Sequence, residues 1–400
     1  MHTLIENGEL YSPNRLGKRS ILLAEGRIAA VGRVDRRALE SLGVEHEVVD
    51  VEGCVVTSGW IDPHIHLLGG SGEEGFSTQT PEFFVDEIVR HGFTTVVGCL
   101  GVDTTMKTMP GLLAKAKALA EEGLNARIWT GGYNVPSTTI LPSARDDIMF
   151  IDEVIGIGEV AIADKRGMEP DARELARIMT DACVGGMLAR KAGVTHFHVG
   201  EGERRLETLR EVIDDFEVEP SWIYATHIGR SEALMREAIA LAAQGAAVDI
   251  DSVEGDVARW VRFYLDSGGD AERLTLSSDA SINSPQAFAD QVRDCVLNHG
   301  IPLERMLAMV TENTARILKL AEKGTLEPGK VADVLVLDRG TLEVRHVWAK
   351  GRCAVRDGSL VARAGFLAES KREVILVGDE SPGAARRGAT PVGATGARRP

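Results

Sequence analysis

The chain has 400 residues, 44% of them apolar, and a formal charge of −15. A chain that acidic argues against nucleic acid or an anionic membrane surface as a partner, and no run of eighteen apolar residues is present to span a bilayer. Five scattered cysteines without a CxxC pair, and an N-terminus lacking a basic start and an apolar stretch, lead us to expect a cytoplasmic protein with buried thiols rather than a disulfide frame.

In chain order, residues 1–58 read as short strands, with 21–32 ("ILLAEGRIAAVG") forming a hairpin that turns at Glu25–Gly26 and 47–59 continuing the β pattern. From Gly59 onward short apolar strands alternate with amphipathic stretches. Strands are predicted at 55–66, 94–100, 126–132, 159–163, 194–200, 222–228, 246–251 and 273–279. Helices are predicted at 82–91, 111–122, 172–191, 231–244 and 285–298, several ending at a glycine. Eight strands with helices between them is the count of a (β/α)8 TIM-type barrel, although a doubly wound open sheet gives the same local pattern. Residues 303–319 read as one further helix; 323–338 and 343–358 return to strands and tight turns. The expected organisation is α/β. A small β-sandwich domain is built from 1–58 plus 323–378, the barrel spans 59–322, and a Gly-, Ala-, Pro- and Arg-rich tail, 379–400, is disordered.

On this map the polar residues gather at strand ends, where barrel enzymes place their chemistry. His64 and His66 end the first strand in "WIDPHIHLLGG" and share one face, because side chains alternate along a strand. Glu159 lies on the fourth strand, His198 ends the fifth, His227 the sixth and Asp279 the eighth. A lone histidine at such a place is usually a hydrogen-bonded core or surface residue, and a lone aspartate a helix cap. The convergence of the four histidines and Asp279 at strand ends, with Glu159 on a strand among them, points instead to zinc or a similar divalent ion, for which imidazole and carboxylate are good ligands. His196 has the parity of His198 but lies deeper; His2, His46, His91, His299 and His346 fall away from the strand ends.

This constellation resembles the amidohydrolase superfamily and, within it, the isoaspartyl (β-aspartyl) dipeptidase family. The stretches that carry the likeness are "GWIDPHIHLLGGSGEEG", "HGFTTVVGCLG", "LLAKAKALAEEG", "GGYNVPSTT", "VIGIGEVAIADKR", "GVTHFHVG", "ATHIGR" and "LSSD", spread over roughly 55–355. The resemblance implies two zinc ions, or one. His64, His66 and Asp279 would hold the more buried ion, His198 and His227 the second, with Glu159 between them. It implies hydrolysis of the β-aspartyl bond of a dipeptide by metal-activated water, Asp279 serving as general base and then acid. Tyr133 would donate to the carbonyl oxygen. Glu73 would meet the substrate ammonium, and Arg166 and Arg230 its carboxylates. It also implies a homo-oligomer.

Three departures stand out. Glu159 occupies the place where the family carries a CO2-carboxylated lysine, and its chain is several bonds shorter. The metals must move, the strand must shift, or one ion must suffice; Lys165 has the wrong parity to substitute. After Asp279 the chain reads "ASINSPQAF", so the substrate-contacting serine position is Asn283 or Ser284. Val102 replaces a polar residue. The competing readings are another superfamily amide hydrolase, of dihydroorotase or imidase type, and a non-enzymatic scaffold. A scaffold would be expected to have lost the ligand set.

Overall fold

The computed structural model describes residues 2–370, apart from 42 and 254. Eight parallel strands follow one another around a ring: Trp60–Ile65, Phe93–Gly98, Asn125–Thr130, Val154–Ile162, Thr195–Val199, Ile223–Thr226, Ala247–Asp251 and Leu274–Ser277. The ring closes just past the eighth strand. There Asp279 N donates to His64 O at 2.9 Å and His66 N to Ala280 O at 3.0 Å. Closure decides for the barrel over the open sheet. Almost every strand residue is buried, as expected of parallel strands covered on both faces.

Two sequence expectations need correcting here. The first strand, expected over 55–66, is two strands: Cys54–Ser58 pairs antiparallel with Val334–Asp338, and only Trp60–Ile65 enters the barrel. Gly59 separates them, because a Cβ there would fall 2.2 Å from Thr94 Oγ1, and only glycine passes that close. The helix expected over 303–319 is also two, Leu303–Val310 and Glu312–Ile317. Thr311 breaks it with φ −136° and ψ −85°, its hydroxyl donating back to Leu307 O at 2.6 Å. The fourth strand begins at Val154, five residues before the expected 159, its pattern diluted by Gly156 and Gly158.

The remaining strands form one mixed sheet from both chain ends. His2–Tyr11, Arg15–Ala24, Arg27–Gly32, His46–Asp50 and Cys54–Ser58 come from the N-terminal side, and Val334–Asp338, Val344–Ala349, Arg352–Arg356 and Ser359–Leu360 from the other. Glu25 and Gly26, both at positive φ, make the expected hairpin turn. Ile5, Leu10, Ile21, Val56, Val336 and Trp348 share one apolar core, so the sheet curls around a common interior. Gly365–Ala368 forms a turn of 3-10 helix. The 379–400 tail and residues 371–378 lie outside the described residues. Among those described, no helix is long and apolar enough to cross a membrane.

Asp333 ties this sheet to the barrel. It is buried, accepts Lys323 Nζ at 2.7 Å, Asn125 Nδ2 at 2.9 Å and Lys350 N at 2.9 Å, and Asn125 opens the third barrel strand. Asp333→Ala strands the Lys323 ammonium without a counter-charge, so it should cost about 3–5 kcal/mol of stability. A urea titration checks this; a loss under about 1 kcal/mol, the size of an exposed pair, would show the contact to be incidental.

Candidate functional site

The ring's closure builds the site. Asp279 sits at the seam beside the first strand, its Oδ1 3.0 Å from His66 Nε2 and 3.4 Å from His64 Nε2. Asp62, in the same "WIDPHIH" stretch, fastens the seam from below, accepting Ser278 Oγ at 2.5 Å and Ser278 N at 3.1 Å. Burial pushes its carboxyl up to about 7. His227 and Asp279 follow the ends of their strands in the left-handed region, φ 65° and 45°. For residues with a Cβ such backbone costs about 1–3 kcal/mol and persists where surrounding structure enforces it.

Glu159 stands at the centre of the histidines. Its Oε1 lies 3.5 Å from His66 Nε2. Its Oε2 lies 3.4 Å from His64 Nε2, 3.2 Å from His198 Nδ1 and 3.9 Å from His227 Nε2. Of the three outcomes anticipated for a shorter side chain, a shifted strand is visible. From Ile157 to Val160 the fourth strand advances three residues while its neighbour advances two, Thr195 to Phe197. That bulge contains Glu159, and bulges re-aim side chains at barrel rims. Lys165 is exposed beyond the strand end.

The donor set suits a cation of the zinc type. Both ring nitrogens of His64 are buried without a hydrogen-bond partner, which is costly unless something else satisfies them. The neighbouring backbone leaves room: a Cβ on Gly101 would lie 2.7 Å from His66 Cε1 and 3.2 Å from Glu159 Oε1. Ligand atoms of His64, His227 and Asp279 lie within 4.8 Å of one another, as do those of Glu159, His198 and His227. Glu159 belongs to more than one such group, the arrangement expected of a shared carboxylate.

Electrostatics follow from this crowding. Burial opposes charge on His64 and His66, yet Cys99, Glu159 and Asp279 beside His64, and Cys99 and Asp279 beside His66, hold both imidazoles well above the usual range. Burial would likewise raise Glu159, but His64, His198 and His227 hold it well below. Burial, reinforced by Glu159, keeps the Tyr133 phenol protonated far above its ordinary value.

Around the ligands lie the predicted substrate contacts. Tyr133 Oη is 2.9 Å from His198 Nδ1, and the Arg166 guanidinium lies 5.5 Å from the Tyr133 ring centroid. Arg166 pairs with Glu73 at 2.8 Å, and both line a cavity of about 490 Å³ together with Arg230 and Asp164. Arg230 is anchored by donating to Val199 O at 2.8 Å. Among the described residues, Asn283 and Ser284 make no hydrogen bond or ion pair with the ligands. Asn283 ties its own loop, donating to Ser278 O and accepting from Ser281 N, and Ser284 is exposed at the start of the helix Pro285–Leu297.

Two carboxylates escaped the sequence reading. Asp251, at the end of the seventh strand, accepts from His227 Nδ1 at 2.8 Å and so orients that ring; the strand-end rule applied to "AVDID" would have found it. Asp164 accepts from Arg166 at 2.7 Å and lies 3.0 Å from His198 Nε2, and its only signal was its place two residues before Arg166. His196 packs beneath the site, stacked on Trp129 and edge-on to His64 at 4.9 Å.

A profile of the amidohydrolase family matches residues 55–354. The crystal structure of a β-aspartyl dipeptidase from Fervidobacterium islandicum AW-1 superposes with a TM-score of 0.86 at 36% identity, covering 90% of this chain and 98% of that one. Its complex with β-Asp-Leu gives 0.85 at 36%, covering 90% and 97%. An adenine deaminase from Halalkalibacterium halodurans is 25% identical over 90% of this chain, which spans 58% of that protein's length. A dihydroorotase from Lactobacillus gasseri is 24% identical over 84% of this chain and 89% of its own.

Proposed function

The chain belongs to the amidohydrolase family, among its β-aspartyl dipeptidases, and from that premise we propose that it hydrolyses the β-aspartyl bond of isoaspartyl dipeptides with zinc as its metal. The observation that carries this reading is the charge pattern of the cavity. Its lining also carries Asp164, Lys165 and Glu201, and within it Glu73, Arg166 and Arg230 complement one ammonium and two carboxylates, the charges of an isoaspartyl dipeptide. A neutral purine uses none of these groups, and a dihydroorotate ring has no ammonium to offer Glu73.

His64, His66, Glu159, His198, His227 and Asp279 would hold the metal. The chemistry a zinc ion would supply there is a lowered pKa for a bound water and polarisation of the scissile carbonyl. Asp279 stands at the seam to accept the attacking water's proton and return it to the leaving amine. Tyr133, kept protonated, donates to the carbonyl oxygen as charge develops there. Arg166 and Glu73 neutralise each other across the mouth, so a zwitterionic substrate can enter by giving each a new partner. Asp251 holds His227 in one ring orientation.

Turnover of β-Asp-Leu against α-Asp-Leu, with dihydroorotate and adenine as comparison substrates, tests the proposal. Selective cleavage of the β-linked dipeptide is expected; cleavage of either ring compound in its place would overturn it. Arg166→Lys keeps the charge but loses the planar fork. It should raise KM for β-Asp-Leu about tenfold or more, the price of one charge-assisted hydrogen bond, and steady-state kinetics read it directly.

A further inference from the structure

We propose that Cys99 is a metal ligand, giving the ion held by His64 and His66 a sulfur donor. The inference rests on the metal reading above and names a residue that reading does not use. Cys99 follows the second barrel strand, and its N donates to Ile65 O at 3.1 Å, placing it against the chain between the two histidines. Its Sγ lies 3.8 Å from His66 Nδ1 and 3.9 Å from His66 Nε2. Ligand atoms of His64, His66, Cys99 and Glu159 all lie within 4.8 Å of one another. Two imidazoles, one carboxylate and one thiolate make four donors, the number that zinc takes in tetrahedral sites.

Two independent features point the cluster at a ligand. His64 presents both nitrogens buried and without a hydrogen-bond partner, and Gly101 keeps the space beside His66 and Glu159 free of a Cβ. Cys99 is itself buried, so it meets no solvent that could compete. The other cysteines, Cys54, Cys183, Cys295 and Cys353, enter no such group among the described residues. The plain alternative is a packing thiol, since Cys99 also touches the apolar cluster of Val97 and Trp129.

On binding, the S–H bond breaks, the sulfur pair forms the bond to the ion and the proton leaves to solvent. Two consequences follow. With four donors already present, the buried position no longer depends on Asp279 alone to complete its shell, so that carboxylate can be a ligand and still move protons. A soft sulfur donor also biases that position toward zinc, cobalt or cadmium over magnesium or manganese, while the group of Glu159, His198 and His227 offers only nitrogen and oxygen.

The test is spectroscopic. The full chain loaded with cobalt(II) should show a near-ultraviolet sulfur-to-cobalt charge-transfer band that Cys99→Ser abolishes while visible cobalt bands persist. X-ray absorption of the zinc-loaded wild type should find a sulfur scatterer at about 2.3 Å, a measurement that needs no variant to fold. Zinc affinity of one site should fall at least about 10–100-fold in Cys99→Ser and Cys99→Ala alike, at or beyond the loss usual for outer-shell partners. Visible cobalt bands without a sulfur band in the wild type would overturn the role of Cys99 and leave the metal reading standing. Failure to bind cobalt or zinc at all would overturn both.

Discussion

Asp279→Asn should lower kcat for β-Asp-Leu by about 10²–10⁴-fold, the range for loss of a positioned general base, with little change in metal content. The side chain keeps its size and one oxygen, so the contact with His66 at 3.0 Å can survive as an amide oxygen contact. What it loses is the capacity to take a proton. His64, His66 and His227 hold this carboxyl below its ordinary range despite burial. Its backbone is fixed by the hydrogen bond from Asp279 N to His64 O and by the left-handed turn, which asparagine tolerates better than most residues. The variant should therefore fold, and metal analysis beside single-turnover kinetics separates lost chemistry from lost metal. Full kcat with full metal would remove Asp279 from the proton path. Tyr133→Phe should cost about 10²–10³-fold by removing one donor to the developing oxyanion, and the two losses should not add, because both act on one transition state.

Much of the barrel was legible because parallel strands buried on both faces leave apolar runs punctuated by helices, and because ligands placed at strand ends share a position rule. His64, His66, His198, His227 and Asp279 obey it, Glu159 lies inside the strand Val154–Ile162, and the structure brings all six together. The rule also covers Asp251, at the end of the seventh strand. Asp164 obeys no period: it lies in a turn beyond the fourth strand, and only folding brings it against His198. The bulge at Glu159 was illegible for the same kind of reason, since register belongs to a pair of strands and one sequence shows only one partner at a time. Gly59 could have been read. It sits where a strand that looks continuous over 55–66 leaves one sheet for another, and glycine inside a strand pattern is a signal of close backbone approach.

Glu159→Gln is expected to abolish binding of at least one ion and to reduce activity to the level of metal-depleted protein. The glutamate meets His66 through Oε1 and His64, His198 and His227 through Oε2, so each oxygen faces a different part of the ligand ring. Glutamine replaces one of those oxygens with an NH2 donor that repels a cation, and removes the charge that offsets two divalent ions in a buried site. Glu159→Lys sharpens the point. A bare ammonium among four imidazoles excludes cations altogether, whereas a lysine carboxylated by CO2 again offers two oxygens on a longer arm. The bulge sets the strand for the short glutamate, so the longer carboxylated arm would overshoot the point between the histidines. Metal content of Glu159→Lys should therefore stay low even with added bicarbonate. Inductively coupled plasma analysis of both variants decides the matter: unchanged metal in Glu159→Gln would take this residue out of the ligand set, and bicarbonate-dependent recovery in Glu159→Lys would show the bulge to be pliable.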